Sequence, residues 1–292
     1  MSGTLERAIF GTTFQNPVLL ASGTAGFGRE LAGVIDLERL GGLVTKAVSL
    51  APRPGNPAPR VVEFGGGMLN SVGLANPGLA RVRDAELPWL AGSLRRARVL
   101  VNVVGFQEAE YAQVVAGLDD LSGFLGYELN LSCPNTSAGG IEFGADPASV
   151  ARIVAACRRV TTRPILAKLS PALPDIAGMA VVARDAGADG VTVVNTIPGW
   201  LYRTGEDAPR LGQGNGGVSG PALLPIGLLA TRRVAERTGG AFPIIGVGGI
   251  RTAEDVRQYL RAGASLVAIG TAGLADPTLP VRIVGALEQP HG

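Results

Sequence analysis

Short apolar runs recur along the chain, most followed by polar or glycine-rich residues and then by a helical pattern. The runs are PVLLAS (17–22), GLVTKAV (42–48), VLVNVVG (99–105), YELNLSC (127–133), PILAKLS (164–170), GVTVVNT (190–196), PIIGVGG (243–249) and LVAIGTA (266–272). They predict eight strands. Helical patterns lie between them, for example over 146–160, 175–186, 221–238 and 253–261. The last has Thr252 as its N-cap, with Asp255 three residues on. Apolar strands of this length alternating with helices imply parallel pairing. Eight such units close into a (β/α)₈ TIM barrel, with an open doubly wound sheet as the alternative. The doubly wound reading lacks a dinucleotide fingerprint, because the glycines of GTAGFG (23–28) have the wrong spacing.

Two connections are long. Residues 51–77 follow strand two and contain one short strand, VVEF, among Gly and Asn turns. Residues 197–220 follow strand six. Loops this long in a compact domain are binding loops or lids, and both emerge at the C-terminal mouth, where barrel enzymes work. With no linker, low-complexity tract or repeat, one domain over 1–292 is expected.

Composition removes several classes of function. The formal net charge is +2 over 292 residues, so no nucleic-acid partner and no membrane surface is indicated. No apolar run approaches the roughly 18 residues of a membrane span. The N-terminus, MSGTLERAIFG, has polar and charged residues where a signal peptide needs an apolar core, so a cytoplasmic location is expected. Cys133 and Cys157 are the only cysteines, too few for an iron–sulfur cluster, and no metal site is expected. Lysine occurs twice, at Lys46 and Lys168, and the one histidine is His291.

Both lysines fall at strand ends, and so do other polar residues. Strand one brings Ser22, strand two Thr45 and Lys46, and strand three Asn102. Strand four brings Asn130 and Cys133, strand five Lys168, and strand six Asn195 and Thr196. Polar groups are costly to bury without partners, so a ring of them argues for a polar ligand at the centre. The glycines after strands seven and eight (Gly246, Gly248, Gly249, Gly270) leave backbone N–H groups free for a phosphate. Lys168, on the middle strand, suits a delocalised anion such as the N1–O2 region of a reduced flavin. The competing reading makes Lys46 or Lys168 a Schiff-base lysine of an aldolase-type barrel. A bare binding barrel without catalysis is the third. Cys133 sits beside a proline and a glycine pair, where a thiol is a usable general base in a chain without an internal histidine. Cys157 shares a helical face with Val150, Ile153 and Val154 and reads as a packing residue.

These segments resemble a family. NPVLLASGTAGFG, GLVTKAV, PRPGNPAPRVVE, GGMLNSVGLANPG, ELNLSCPNTSAGG, AKLSP, VVNT, GGVSGP, GVGGI and AIGTAG occur in the order found in class 1 dihydroorotate dehydrogenases, most closely the catalytic subunit of the 1B type. The resemblance implies a barrel with FMN at its mouth and oxidation of dihydroorotate to orotate in pyrimidine biosynthesis. It implies that Cys133 takes the C5 proton while the C6 hydride goes to flavin N5. It places Lys46 against both substrate and flavin, and Asn70, Ser71, Val72, Gly73, Leu74, Asn130, Asn195 and Thr196 around the pyrimidine and its carboxylate. Ser22, Ala47, Asn102, Asn130, Lys168, Val194 and Gly220 would line the FMN, with Gly248, Gly249, Gly270 and Thr271 on its phosphate side. A 1B subunit is expected to form the homodimer core of a heterotetramer. Its second protein would carry FAD and a [2Fe–2S] cluster and pass electrons to NAD⁺. The fumarate-linked 1A type and a dihydropyrimidine dehydrogenase-like flavoenzyme are the neighbouring alternatives. PGWLYR (198–203) departs from the family pattern through the bulk of Trp200 and Tyr202.

Overall fold

The structure, a computed structural model, describes residues 5–131 and 143–289. The chain opens with a hairpin, β1 (Arg7–Ile9) and β2 (Thr12–Phe14). It continues through β3 (Val18–Leu20), β4 (Gly42–Val44), β5 (Val61–Phe64), β6 (Gly67–Asn70), β7 (Arg98–Val103) and β8 (Gly126–Asn130). Then come β9 (Ile165–Leu169), β10 (Gly190–Val193), β11 (Ile197–Trp200), β12 (Asn215–Ser219), β13 (Ile244–Val247) and β14 (Leu266–Ile269). The eight predicted strands, β3, β4, β7, β8, β9, β10, β13 and β14, close into one barrel in that order. Every neighbouring pair is parallel, including the closing pair β14–β3, where Ile269 stands opposite Leu20.

The helices are α1 (Gly78–Arg81), α2 (Leu87–Ser93), α3 (Glu108–Leu118), α4 (Pro147–Arg158), α5 (Ile176–Asp185), α6 (Leu224–Arg237), α7 (Ala253–Arg261), α8 (Thr271–Ala275) and α9 (Leu279–Glu288). α4, α5, α6 and α7 stand where the periodicity places them. α7 begins with the expected capping box, Thr252 accepting from the Asp255 amide and Asp255 from the Thr252 amide.

Side chains alternate between two apolar compartments, as strand geometry requires. Outward residues such as Val101, Leu129, Ala167 and Val191 pack under the helices, and Cys157 of α4 lies in this shell. Inward residues such as Leu19, Leu100, Leu166, Ile245 and Leu266 fill the barrel, with Phe14 among them. Phe14 comes from the N-terminal hairpin, so β1 and β2 plug the barrel floor.

The two long connections share one structure. β5 and β6 come from the first and β11 and β12 from the second, and they form an antiparallel sheet in the order β11-β12-β6-β5. Gly217 pairs with Asn70 and Val218 with Leu69, which ties the two insertions together. Only β5 is predicted from sequence. GMLN and NGGVS carry glycines that weaken a strand signal, and IPGW contains proline. Trp200 and Tyr202, the two residues that depart from the family pattern, meet edge to face at 6.0 Å and remain exposed.

The plug generates a prediction. Phe14→Ala removes a fully buried ring from the barrel floor and is expected to destabilise the chain by about 3–5 kcal/mol in a denaturant titration. A loss under about 1 kcal/mol would mean that the hairpin does not close the barrel.

Candidate active site

Above the apolar floor the inward positions turn polar. Asn102 on β7, Glu128 on β8, Lys168 on β9 and Thr192 on β10 are all buried and lie on four consecutive barrel strands. Their centre is Glu128, 1% exposed. Its Oε1 accepts from Asn102 Nδ2 at 2.7 Å and lies 3.5 Å from Lys168 Nζ, and its Oε2 accepts from Thr192 Oγ1 at 2.7 Å. The Asn102 amide N–H in turn donates to Thr45 Oγ1 at 3.2 Å. Asn102 Oδ1 is buried and has no hydrogen-bond partner among the described residues.

Magnitudes decide what this cluster does. At 3.5 Å the Glu128–Lys168 attraction is about 5 kcal/mol at an effective dielectric of about 20. Removing each ion from water costs several kcal/mol, so the pair yields little net stability, and apolar side chains of the same volume would serve folding as well. The cluster therefore places charge; it does not hold the barrel together. Lys46, by contrast, forms no ion pair with any described residue. Its backbone is fixed by the Lys46 amide donating to the Gly26 carbonyl at 2.7 Å and by Thr45 Oγ1 donating to the Lys46 carbonyl at 2.9 Å.

A second polar group stands one step nearer the mouth. Asn195 Nδ2 donates to Asn130 Oδ1 at 3.2 Å, and Asn195 Oδ1 accepts from the Thr196 amide at 2.9 Å. Tyr111 of α3 donates to the Asn130 carbonyl at 2.8 Å. The inserted sheet supplies the segment 70–74. Asn70 Nδ2 donates to the Gly217 carbonyl at 3.0 Å. Asn56 then binds the arc that follows, through Nδ2 to Ser71 Oγ at 2.8 Å and through its amide to the Val72 carbonyl at 3.1 Å. Gly73 and Leu74 both have positive φ, +71° and +56°, and Asn76 Nδ2 ties down the Leu74 carbonyl at 2.7 Å. Leucine is uncommon in that region, so the arc is held by its surroundings.

The glycines form a cradle at the ends of β13 and β14, which are neighbours in the barrel. Gly249 has φ +73°, and a Cβ there would lie 2.5 Å from the Leu224 backbone nitrogen, so no other residue fits. Gly248 precedes it, and its carbonyl accepts from Tyr259 OH at 2.8 Å. Gly270 and Thr271 open α8. Gly220, φ +106°, lies against Gly67 of the inserted sheet. Ser22 follows β3, Ala47 is buried just beyond β4, and Val194, also buried, donates its amide to the Val247 carbonyl at 3.0 Å.

The structure thus places these expected site residues around one mouth and its inserted sheet. Cys133 and the rest of its loop lie outside the described residues. Glu128 and Thr192 went unread in the sequence, as did Asn56 and Asn76. A signal for Glu128 existed: it stands two positions before Asn130, on the inward parity of a strand otherwise apolar.

The family described as "Dihydroorotate dehydrogenase" matches residues 4–290. The catalytic subunit of dihydroorotate dehydrogenase B (NAD(+)) from Pelobacter propionicus is 43% identical, over 96% of this chain and 90% of that protein. The corresponding subunit from Desulforudis audaxviator is 45% identical, over 97% and 91%. A putative dihydroorotate dehydrogenase A (fumarate) from Solibacter usitatus is 46% identical, over 98% and 93%. The chain belongs to the dihydroorotate dehydrogenase family.

The two cysteines can be separated experimentally. Burial pushes the Cys157 thiol up to about 12. Only the thiolate reacts, and at pH 8 that leaves about one part in 10⁴. A thiol reagent at pH 8 is therefore expected to spare Cys157 in the folded protein and to reach it after denaturation. Rapid labelling of Cys157 in the native state would contradict its placement.

Proposed function

We propose that this chain is the FMN-binding catalytic subunit of a class 1B dihydroorotate dehydrogenase. It oxidises dihydroorotate to orotate in pyrimidine biosynthesis, in the cytoplasm, within a single domain. The observation that carries the reading is the family match over residues 4–290, laid on a barrel mouth that combines a buried lysine, an amide ring and a glycine cradle. Membership of this family leaves the Schiff-base and bare-scaffold alternatives without support.

The residues present fit FMN. Gly248, Gly249, Gly270 and Thr271 offer backbone at the ends of β13 and β14 suited to a phosphate, and space beside Gly270 is open, with only Ala21 Cβ at 3.7 Å from a Cβ placed there. Lys168 supplies a buried cation for the N1–O2 edge, and the orphaned Asn102 Oδ1 fits a ligand edge that carries an N–H donor. Ser22, Lys46, Ala47, Asn130, Val194 and Gly220 complete the proposed lining. When bound, FMN supplies the hydride acceptor for C6 of dihydroorotate.

The chain's own residues do the rest. Cys133 takes the C5 proton as general base. Lys46, without a carboxylate among the described residues to offset it, is suited to the substrate's anionic end. Asn70, Asn130, Asn195 and Thr196 offer donors and acceptors to the pyrimidine. The arc Ser71–Leu74, fixed by Asn56 and Asn76, brings the inserted sheet down as the upper wall. Holding the substrate in one pose in this way lowers the entropic part of the barrier.

The B-type relatives are named as catalytic subunits linked to NAD(+). This supports a second protein; on the family resemblance that protein carries FAD and a [2Fe–2S] cluster, with two copies of this chain at the centre of a heterotetramer. Two cysteines in 292 residues cannot supply the four ligands such a cluster needs. A-type relatives stand at comparable identity, so the acceptor is settled by assay.

Two outcomes follow. Cys133→Ala is expected to retain FMN and bind orotate, while dihydroorotate reduces its flavin about 10²–10⁴-fold more slowly in a single turnover. Reduction at the parent rate would remove the thiol from the mechanism. The isolated chain is expected to reduce its flavin with dihydroorotate yet transfer electrons to NAD⁺ slowly. Rapid turnover with fumarate alone would assign it to the A type instead.

A further inference from the structure

Glu128 has no role in the proposed chemistry. It does not face the mouth: at 1% exposure it lies behind Lys168, whose side chain keeps 8%. Three polar groups among the described residues donate to it, an amide from β7, an ammonium from β9 and a hydroxyl from β10. Leu100 and Leu166 stand two residues earlier on β7 and β9, in the dry floor of the barrel. A buried carboxylate between an apolar floor and a ligand site contributes little net stability. What it does contribute is charge at a fixed place.

We propose that Glu128 is a positioning residue that holds Lys168 against the flavin's pyrimidine end and offsets part of its charge. The flavin's tendency to accept electrons is thereby tuned by a group that never touches it. The inference rests on the flavin reading above and deepens it. The geometry supplies the means. Lys168 on β9 and Glu128 on β8 are inward on adjacent strands, Glu128 one register step deeper, since Lys168 stands opposite Asn130. The same Oε1 holds Asn102 by Nδ2, which leaves Asn102 Oδ1 as the orphaned acceptor. One carboxylate therefore fixes both a cation and an acceptor of the proposed cofactor site. Thr192 modulates it, because a hydroxyl donating to Oε2 withdraws negative charge that would otherwise face Lys168.

This arrangement predicts shifts of opposite sign. Glu128→Gln removes the offsetting charge and leaves Lys168 alone beside a flavin that becomes more negative on reduction, so the midpoint potential should move positive. Thr192→Val removes a donor at nearly constant volume and strengthens the carboxylate's pull, so the potential should move negative. The measurement is equilibrium reduction of the bound flavin against a reference dye, in the purified parent and in each variant, with no substrate present. Opposite shifts support the inference. Potentials equal to the parent's in both variants, or displaced in the same direction, overturn it. Should Glu128→Gln fail to fold, Thr192→Val alone decides: a negative shift supports, an unchanged or positive potential overturns. A parent chain that holds no FMN would remove the flavin reading itself. A flavin-bearing parent with unresponsive variants would remove only the role of Glu128.

Discussion

Every second side chain of a closed barrel points into a space that water does not reach, and each must be packed or paired there. This constraint orders the whole molecule. On the floor it is met by apolar packing, and Phe14 reaches in from the N-terminal hairpin to finish it. One level up the strands β7 to β10 switch to Asn102, Glu128, Lys168 and Thr192, which are joined through Glu128 across four strands and leave Asn102 Oδ1 open. Those residues can be polar only because Glu128 gathers three donors at once. The remaining strands stay apolar inside the barrel, with Val44, Ile245 and Ala268.

The mouth depends on a second joint, between the two insertions. Neither could order a four-stranded sheet by itself. Gly217 of one pairs with Asn70 of the other, and the Asn70 side chain returns a hydrogen bond to the Gly217 carbonyl. The sheet gives the barrel an upper wall, and Asn56 and Asn76 pin its edge into a fixed arc. The loops at the mouth are thus placed by pairing, and the strands below only need to aim side chains. Gly67 and Gly220 approach closely beside that joint, where a Cβ on Gly220 would lie 2.8 Å from Gly67 Cα.

Much of this was legible in the sequence for a physical reason. Parallel strands are buried on both faces, so they read as continuous apolar runs, and all eight were found. The polar residues near their C-terminal ends stood out against that background, which led to Lys168, Asn102, Asn130 and Asn195. The inserted sheet was largely hidden: β6, β11 and β12 are short and carry glycine or proline, and the β6–β12 pairing that joins the two insertions spans about 150 positions. Glu128 was hidden differently. Its strand is legible, but its meaning depends on Asn102, Lys168 and Thr192 converging on it, and no local pattern records convergence. Cys133 is the reverse case. Its loop lies outside the described residues, and its role rests on chemistry and family resemblance.

The FMN site proposed at this mouth rests on the glycines after β13 and β14 and on Lys168. The most direct test is to purify the protein, denature it, and identify the released chromophore by mass and by quantity. FMN at one molecule per chain is the expected result. Release of FAD, or of no flavin from a protein that is folded and resists reconstitution with FMN, would contradict it.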